Sequence, residues 1–322
     1  MFFSPLHPMH IPDGFLSVLV SIVFWVFSVV VIGIGLRKTS QTLGERQVPL
    51  MGVLAAAIFA GQMLNFSVSG GTSGHLLGAA IAAILLGPWS AVLVMTCVVA
   101  VQAVLFQDGG ILALGANLFN MAVIGPFVSY AVYSLLTKLF KKQTWGLFVS
   151  GFAAAWVSIL IASLSCALQL AISGTSPANV AVPAMGLIHM LIGVGEGLIT
   201  VGAMAFLYAT RKDLLHIGEA KPADSKGVVI VGSLIALILA ILSPLASSHP
   251  DGLEWVAEEH GFIDAAKDAF YNIIPDYTMP GISNPAIATI IAGIVGSIVV
   301  FVIAYAIGRA EKRGAVQEDA QR

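Results

Sequence analysis

Apolar residues occupy most of this chain, in stretches long enough to cross a lipid bilayer. A transmembrane helix needs about 20 consecutive apolar residues. Windows of that kind fall near residues 15–36, 49–65, 88–105, 113–137, 146–173, 185–210, 227–246 and 286–308. A shorter apolar segment, residues 75–86, is separated from the next window by Gly87 and Pro88, which interrupt a helix. If it is counted as a half-length or tilted helix, the pattern predicts an all-α integral membrane protein with about nine transmembrane helices.

The distribution of Lys and Arg supports counting the short segment. With the segment counted and the N-terminus outside the cell, Lys267 alone among the 15 Lys and Arg residues lies in an outer loop. Cytoplasmic loops of membrane proteins carry the excess of basic residues, and omitting the segment would invert every later loop. The sequence therefore predicts an outer N-terminus and a cytoplasmic C-terminus.

The composition excludes a soluble globular protein. Hydrophobic residues make up 58% of the chain and charged residues 10%, and the mean hydropathy is +0.94, so water cannot solvate the whole surface. Cys97 and Cys166 both lie in apolar windows, which argues against a disulfide framework or a cysteine-based zinc site. The sequence has no G-x-x-x-x-G-K-[ST] motif, so we do not expect this chain to supply an ATPase.

Polar, glycine-rich segments interrupt the apolar pattern at the predicted outer face. MHIPDGF at 9–15 precedes the first window, and QMLNFSVSGGTSGHLLG at 62–78 contains His75. A third segment, FQDGGILALGANLFN at 106–120, contains the polar residues Gln107, Asp108, Asn117 and Asn120. Polar loops are tolerated at membrane depth only where they are buried in protein or line a wet cavity. We therefore expect these loops to fold inward, with His10 and His75 acting either as metal ligands or as hydrogen-bonded interface residues.

Two further sets of residues lie within the apolar windows. His189 and Glu196 are seven positions apart and so lie close to one face of a helix. Ionisable groups inside a span indicate a functional role or a buried partner, so this pair is a candidate for a transport path, a structural hydrogen-bonded pair, or groups that orient a metal ligand. Gly52, Ala56 and Ala60 repeat every four residues, a spacing that lets another helix approach closely. Either a partner subunit docks there or the stripe packs within the chain.

The C-terminal third differs from the rest in composition. Residues 217–226 are polar and helix-breaking, which predicts a cytoplasmic linker, and residues 247–285 form a long loop between the last two windows. Apolar residues within 255–271 recur at helical spacing. This spacing predicts a small amphipathic helix on the membrane face.

Several motifs carry a resemblance to a known family. MHIPDGFL at 9–16, QMLNF and GGTSGHLLG within 62–78, and HMLIGVGEGLIT at 189–200 resemble the CbiM/NikM family. Members of that family are the substrate-binding S components of energy-coupling-factor transporters for cobalt and nickel. In addition, HPDGLEWVAE at 249–258 resembles the PDGLE domain of the associated CbiN/NikN-type component. The resemblance covers nearly the whole chain and implies that both components are fused.

The resemblance also implies a domain organisation. A seven-helix S-component core would occupy residues 9–216, after a leader of residues 1–8. The linker at 217–226 would lead into a CbiN/NikN-like domain at 227–322. In that domain, two C-terminal helices would flank the extracytoplasmic loop.

A metal site and its partners are implied in the same way. The substrate would be Co²⁺ or Ni²⁺, held by the amine of Met9, the amide and ring nitrogens of His10, and the ring of His75. Fused chelate rings of nitrogen ligands favour a square plane, a geometry typical of Ni(II) or Cu(II), and Co(II) can also be held. A transmembrane coupling subunit and two ATPases would drive uptake across the prokaryotic plasma membrane, supplying cobalamin biosynthesis or nickel enzymes. No catalytic cofactor and no nucleic acid is implied.

Residues 1–8, MFFSPLHP, depart from the family pattern because a Met9 inside a longer chain has no free amine. They are too short for a secretory signal and lack its charged start. Three explanations are open. Translation starts at Met9, the leader is removed after synthesis, or the site is altered and His7 replaces the amine as a ligand.

Two other classes of function are compatible with parts of the pattern. An ATP-independent secondary transporter or channel would need no ATPases, but the inverted repeats with paired broken helices of such transporters are not evident in this sequence. An intramembrane metalloenzyme could use His189 and Glu196, but H-E-x-x-H is absent.

Overall fold

The computed structural model describes residues 10–45, 47–141, 143–215 and 225–321. Its helices are α1 (Val18–Thr42), α2 (Gln47–Gln62), α3 (Ala79–Leu86), α4 (Pro88–Val101), α5 (Leu114–Asn117), α6 (Gly125–Leu139), α7 (Thr144–Ser173), α8 (Ala178–Thr210), α9 (Ser225–Leu242), α10 (Gly252–Glu259) and α11 (Pro285–Gln321). π-Helical turns at Gln102–Phe106 and Leu118–Ile124 extend α4 and join α5 to α6. The strands β1 (Phe66–Val68) and β2 (Thr72–Gly74) form an antiparallel hairpin.

Seven of the described helical segments are long and apolar enough to cross a membrane. They are Val18–Gln41, Pro88–Phe106, Leu114–Leu139, Thr144–Ser173, Ala178–Thr210, Lys226–Leu245 and Pro285–Lys312. The 16 residues of α2 and the 8 residues of α3 make shorter helices. At 1.5 Å per residue these reach about 24 and 12 Å, less than the roughly 30 Å of a hydrocarbon core. Within the described residues, the segments predicted as spans therefore correspond to seven long helical segments, to the shorter helix α2 and to the half-length helix α3.

The segment before α3 corrects the all-α prediction in one detail. β1 and β2 pair within this loop, and Ser73 N donates to Pro250 O at 2.8 Å. Backbone groups withdrawn from water need such partners. The helix itself begins at Ala79 rather than at residue 75, because Gly78 adopts a left-handed conformation with φ 78° that ends the loop.

Helices α9 and α11 cover α2. Gly52, Ala56 and Ala60 are all buried, and a Cβ added to Gly52 would lie 3.1 Å from Phe301 of α11. A Cβ added to Gly232 of α9 would lie 1.9 Å from a valine of α2. Such close backbone approach is what small residues allow between membrane helices. The small residues Gly52, Ala56 and Ala60 therefore pack against helices of the same chain, and we do not assign them a role in docking a partner subunit.

The C-terminal loop contains a shorter helix than the sequence pattern predicts over 255–271. α10 ends at Glu259, and Asp251 caps its start by accepting from the amide N of Glu254 at 2.7 Å. Beyond α10 the chain turns back, and Lys267 N donates to Asp13 O at 2.7 Å. This bond links the loop to another connecting segment. Because α10 ends at Glu259 and Gly261 follows with φ 72°, a continuous amphipathic helix is not formed.

Connecting segments gather at one end of the helix bundle, which we call the loop end. They comprise residues 10–17, 63–78, 107–113 and 246–284. Backbone bonds link the first of these to the third, with Gly110 N donating to Ile11 O at 3.0 Å, and the second to the fourth, with Ser247 N donating to Asn65 O at 2.8 Å. The loop end therefore brings together residues from both predicted domains.

Candidate metal site

His10 and His75 meet at the loop end. Their ring centroids lie 5.6 Å apart in an edge-to-face arrangement. Both line a small cavity of about 90 Å³, together with His189 and with Asp251 and Gly252 of the C-terminal loop. His10 is almost fully buried, with 5% of its surface exposed. Two imidazoles from distant parts of the chain thus face the same cavity.

The chain before α1 is docked against the segment that follows α4. We call residues 10–14 the ligand arm. Ile11 N donates to Asn117 Oδ1 at 3.0 Å, and Asn117 Nδ2 donates to Ile11 O at 3.0 Å. One side-chain amide therefore pairs with both backbone groups of Ile11, as a neighbouring strand would. Met9, the other predicted residue of the arm, lies outside the described residues.

Gly110 lies where the ligand arm packs most closely against the segment that follows α4. A Cβ at this position would stand 2.0 Å from Asp13 Oδ1 and 2.2 Å from Asp13 N. We expect Gly110→Ala to displace the arm and weaken metal binding by about 10-fold or more, the range found when groups that orient metal ligands are removed. The measurement is isothermal titration with Ni²⁺ or Co²⁺.

Gly33→Ala is the matched control for this variant, because an added Cβ at Gly33 meets nothing within 4 Å. We expect it to bind metal as the unmodified chain does. Equal affinities for the two alanine variants would show that the position of the arm does not matter.

Glu196 holds the segment that carries His75. Its carboxylate accepts from Leu77 N at 2.7 Å and from Gly78 N at 3.0 Å. The side chain is fully buried. These are two of the amides that precede and begin α3, so the position of His75 depends on a residue of α8.

His75 is suited to bind a metal as a neutral imidazole. Its pKa is lowered to about 4, mainly by burial and also by the neighbouring His10 ring, against opposing contributions from the Leu76 carbonyl and Asp108. A neutral ring keeps a lone pair, which is what a metal ligand requires. Its Nδ1 lies 3.1 Å from Leu76 O, which would leave Nε2 for another partner.

The candidates His189 and Glu196 have different surroundings. Nδ1 of His189 bonds to Met185 O of its own helix at 2.8 Å, and the ring lines the cavity. Glu196 instead bonds to the backbone of the α3 loop. The two side chains thus have separate partners, although they share a helix face.

Within the described part of the chain, no group of three or more His, Cys, Asp or Glu side chains is arranged to hold a metal ion. The nitrogen set expected from the sequence does not need one, because it uses one amine, one backbone amide and two rings. Of that set, the structure brings together the amide and ring of His10 and the ring of His75.

Three residues near His10 were not assigned a role from the sequence. Asp108 and Asn117 belong to a polar segment that the sequence analysis identified, and the structure shows them bonded to His10 and Ile11. Tyr277, whose hydroxyl donates to Asp108 Oδ2 at 2.5 Å, had no sequence signal of its own. A lone tyrosine in a long outer loop cannot be paired with a residue so far away by spacing.

The fold and the site define a multi-pass membrane protein with an imidazole-lined cavity at one end of its helices. The family model for the cobalt uptake substrate-specific transmembrane region, CbiM, matches residues 10–214. The PDGLE domain model matches residues 226–313. The chain therefore belongs to the CbiM family and carries a C-terminal PDGLE domain.

Similar proteins include two that are named as fused nickel transport proteins. The putative fused nickel transport protein NikMN of Archaeoglobus fulgidus is 36% identical over 306 residues, covering 94% of this chain and 98% of that protein. The fused nickel transport protein NikMN of Rhodobacter capsulatus is 34% identical over 265 residues, covering 78% of this chain and 76% of that protein. A crystal structure of a truncated transition metal transporter is 37% identical, with a TM-score of 0.56, and covers 62% of this chain and 99% of that one. These relatives are metal transport proteins rather than enzymes, and the chain is a multi-pass membrane protein of their family.

Proposed function

We propose that this chain captures Co²⁺ or Ni²⁺ as the substrate-binding component of an ATP-driven importer of the energy-coupling-factor type. The observation that carries the proposal is the meeting of His10 and His75 at one small cavity, with ring centroids 5.6 Å apart. Imidazole suits cobalt, nickel and related transition metals. The cargo would be bound at the loop end and released on the opposite side of the membrane.

The proposed ligands are the amine of Met9, the amide N and Nδ1 of His10, and a ring nitrogen of His75. Two features of the described residues support this set. The arm that carries His10 is fixed on both sides of Ile11 by Asn117, and the pKa of His75, lowered to about 4 by burial, keeps its ring neutral. A four-nitrogen plane favours Ni(II), and Co(II) can also be held.

ATP hydrolysis would come from other subunits, a transmembrane coupling protein and two ATPases. The absence of a phosphate-binding G-x-x-x-x-G-K-[ST] motif from the sequence supports this division of labour. Because α9 and α11 cover the small-residue stripe of α2, the coupling protein would dock on another helix face. The second candidate, ATP-independent transport by this chain alone, is kept as an outcome of the test.

We expect uptake of radioactive Ni²⁺ or Co²⁺ into reconstituted vesicles only when the chain, the coupling protein, both ATPases and ATP are all present. Vesicles with the chain alone, loaded with the same metal gradient, are the control. A complex with an ATPase variant that binds but does not hydrolyse ATP should also be inactive. Gradient-driven uptake by the chain alone would contradict the ATP-driven mechanism and favour a secondary transporter or channel.

A further inference from the structure

Asp108 is bonded on both of its sides. Its Oδ1 accepts from the backbone N of His10 at 3.2 Å and lies 3.3 Å from His10 Nδ1, which also lies 3.2 Å from the backbone O of Asp108. Its Oδ2 accepts from the hydroxyl of Tyr277 at 2.5 Å. All three side chains are buried, with 5% of His10, 1% of Asp108 and 1% of Tyr277 exposed. A chain of contacts therefore runs from the PDGLE domain to the ligand arm.

We propose that Asp108 is a positioning residue that presets the chelating edge of His10, and that Tyr277 of the PDGLE domain holds Asp108 in place. This inference rests on the proposed function, because it concerns how the same site receives its metal.

The contacts of His10 carry the first step of the argument. Its backbone N and its Nδ1 both lie against one carboxylate oxygen, so they already point to the same side of the residue. A chelated ion needs both nitrogens on one side, and free rotation about the side-chain bonds would otherwise have to be lost on binding. Fixing the conformation in advance reduces that cost. The negative charge of Asp108 also compensates a divalent ion in a buried site.

The local backbone explains how Asp108 reaches this position. The last turn of the α4 helix is π-helical over Gln102–Phe106, and Asp108 N donates to Gln102 O at 3.1 Å. Gln107 follows in a left-handed conformation with φ 61°. π-Helical turns are rare overall, but many of those that occur lie at functional sites. Here the wider turn and the left-handed residue end the helix and turn Asp108 toward the arm.

The backbone and the ring of Tyr277 are also held in a constrained position. Asp276 and Tyr277 both have positive φ, 48° and 54°, which is uncommon for residues other than glycine and is kept only where the surroundings enforce it. The Tyr277 ring stacks on Phe106, with centroids 4.8 Å apart and planes 14° from parallel. Burial and the Asp108 carboxylate raise the pKa of Tyr277 well above its ordinary value. The hydroxyl therefore stays protonated and can only donate to Asp108.

Tyr277→Phe tests the proposal because it removes the hydroxyl and keeps the stacked ring. We expect the affinity for Ni²⁺ and Co²⁺, measured by titration of the purified full chain, to fall by about 10-fold, as for other groups that orient metal ligands. Tyr271→Phe is the matched control. It removes a hydroxyl of the same loop that donates to Ala103 O at 2.6 Å and is not bonded to the site, and we expect unchanged affinity.

A double-mutant cycle with Asp108→Ala separates positioning from a general structural effect. If Tyr277 acts through Asp108, the hydroxyl has no further effect once Asp108 is absent, so the two changes are not additive. Asp108→Asn provides an independent test if Tyr277→Phe does not fold. It keeps an oxygen acceptor but removes the negative charge, and we expect it to bind metal more weakly than the unmodified chain.

The outcomes distinguish this inference from the proposed function. If the unmodified chain bound neither Ni²⁺ nor Co²⁺, both the proposed function and the positioning role of Asp108 and Tyr277 would be wrong. An unmodified chain that binds metal, with Tyr277→Phe binding equally well or with an effect that persists fully in the Asp108→Ala background, would overturn the positioning role alone. If Tyr277→Phe does not fold, normal affinity in Asp108→Asn would overturn it.

Discussion

Replacing His75 by Ala is expected to abolish tight binding of Ni²⁺ and Co²⁺. Loss of a group that only orients a metal ligand costs about 10–100-fold in affinity, so loss of a ligand should exceed about 100-fold. Within the described residues the His75 side chain has an edge-to-face contact with the His10 ring and one hydrogen bond, from Nδ1 to the neighbouring Leu76 O, so a loss of affinity has to be compared with any loss of stability. Isothermal titration of the purified chain in detergent gives the metal affinity, and a melting temperature measured in parallel shows whether the variant is still folded.

Other histidines provide the comparison. We expect His10→Ala to lose binding as His75→Ala does, because two of the proposed nitrogens belong to His10. His260→Ala should bind normally, since its side chain is exposed beyond the end of α10. A His75→Ala variant that retains the unmodified affinity would exclude this residue from the ligand set. The same titrations on chains that begin at Met1 and at Met9 test the amine, and we expect only a chain beginning at Met9 to bind tightly.

The positions of the membrane helices could be predicted from hydropathy because each span requires an apolar window of known length. The segment at 75–86 shows where that reasoning stops. Composition marked it as too short to span, but it could not show that residues 75–78 form a loop whose Leu77 and Gly78 amides are held by Glu196. That contact depends on tertiary packing of α8 against α3.

The metal site was less predictable than the spans. A histidine in each of two polar loops does not determine a distance, so the proposal that His10 and His75 are ligands depends on the family resemblance, and the structure adds that their rings lie 5.6 Å apart. The Asp108–Tyr277 contact joins residues 169 positions apart, and periodicity carries no information at that range. The amphipathic pattern over 255–271 likewise predicted one helix, whereas the structure has a shorter helix, which ends at Glu259, followed by a turn.

Glu196 gives the largest expected effect on stability. Replacing it with Leu leaves the amides of Leu77 and Gly78 buried without their acceptor. An unsatisfied buried donor costs about 1–3 kcal/mol, so we expect Glu196→Leu to lower the free energy of unfolding by roughly 2–6 kcal/mol, twice the cost of one donor. Glu196→Gln should lose less, because its amide oxygen still accepts from one of the two N–H groups.

Thr200→Val is the control for this prediction, because Thr200 lies one turn along α8 and is fully buried, and its hydroxyl has no hydrogen-bond partner within the described residues. Removing it should leave the melting temperature in detergent unchanged or slightly raised, whereas Glu196→Leu should lower it clearly. Metal titration of the same variants then separates a structural role from a role in the transport path. If Glu196 acts by holding the loop, affinity and melting temperature fall together, with Glu196→Gln intermediate in both. A Glu196→Gln protein of normal stability and normal metal affinity that fails only in ATP-driven uptake would instead place Glu196 on the path of the ion.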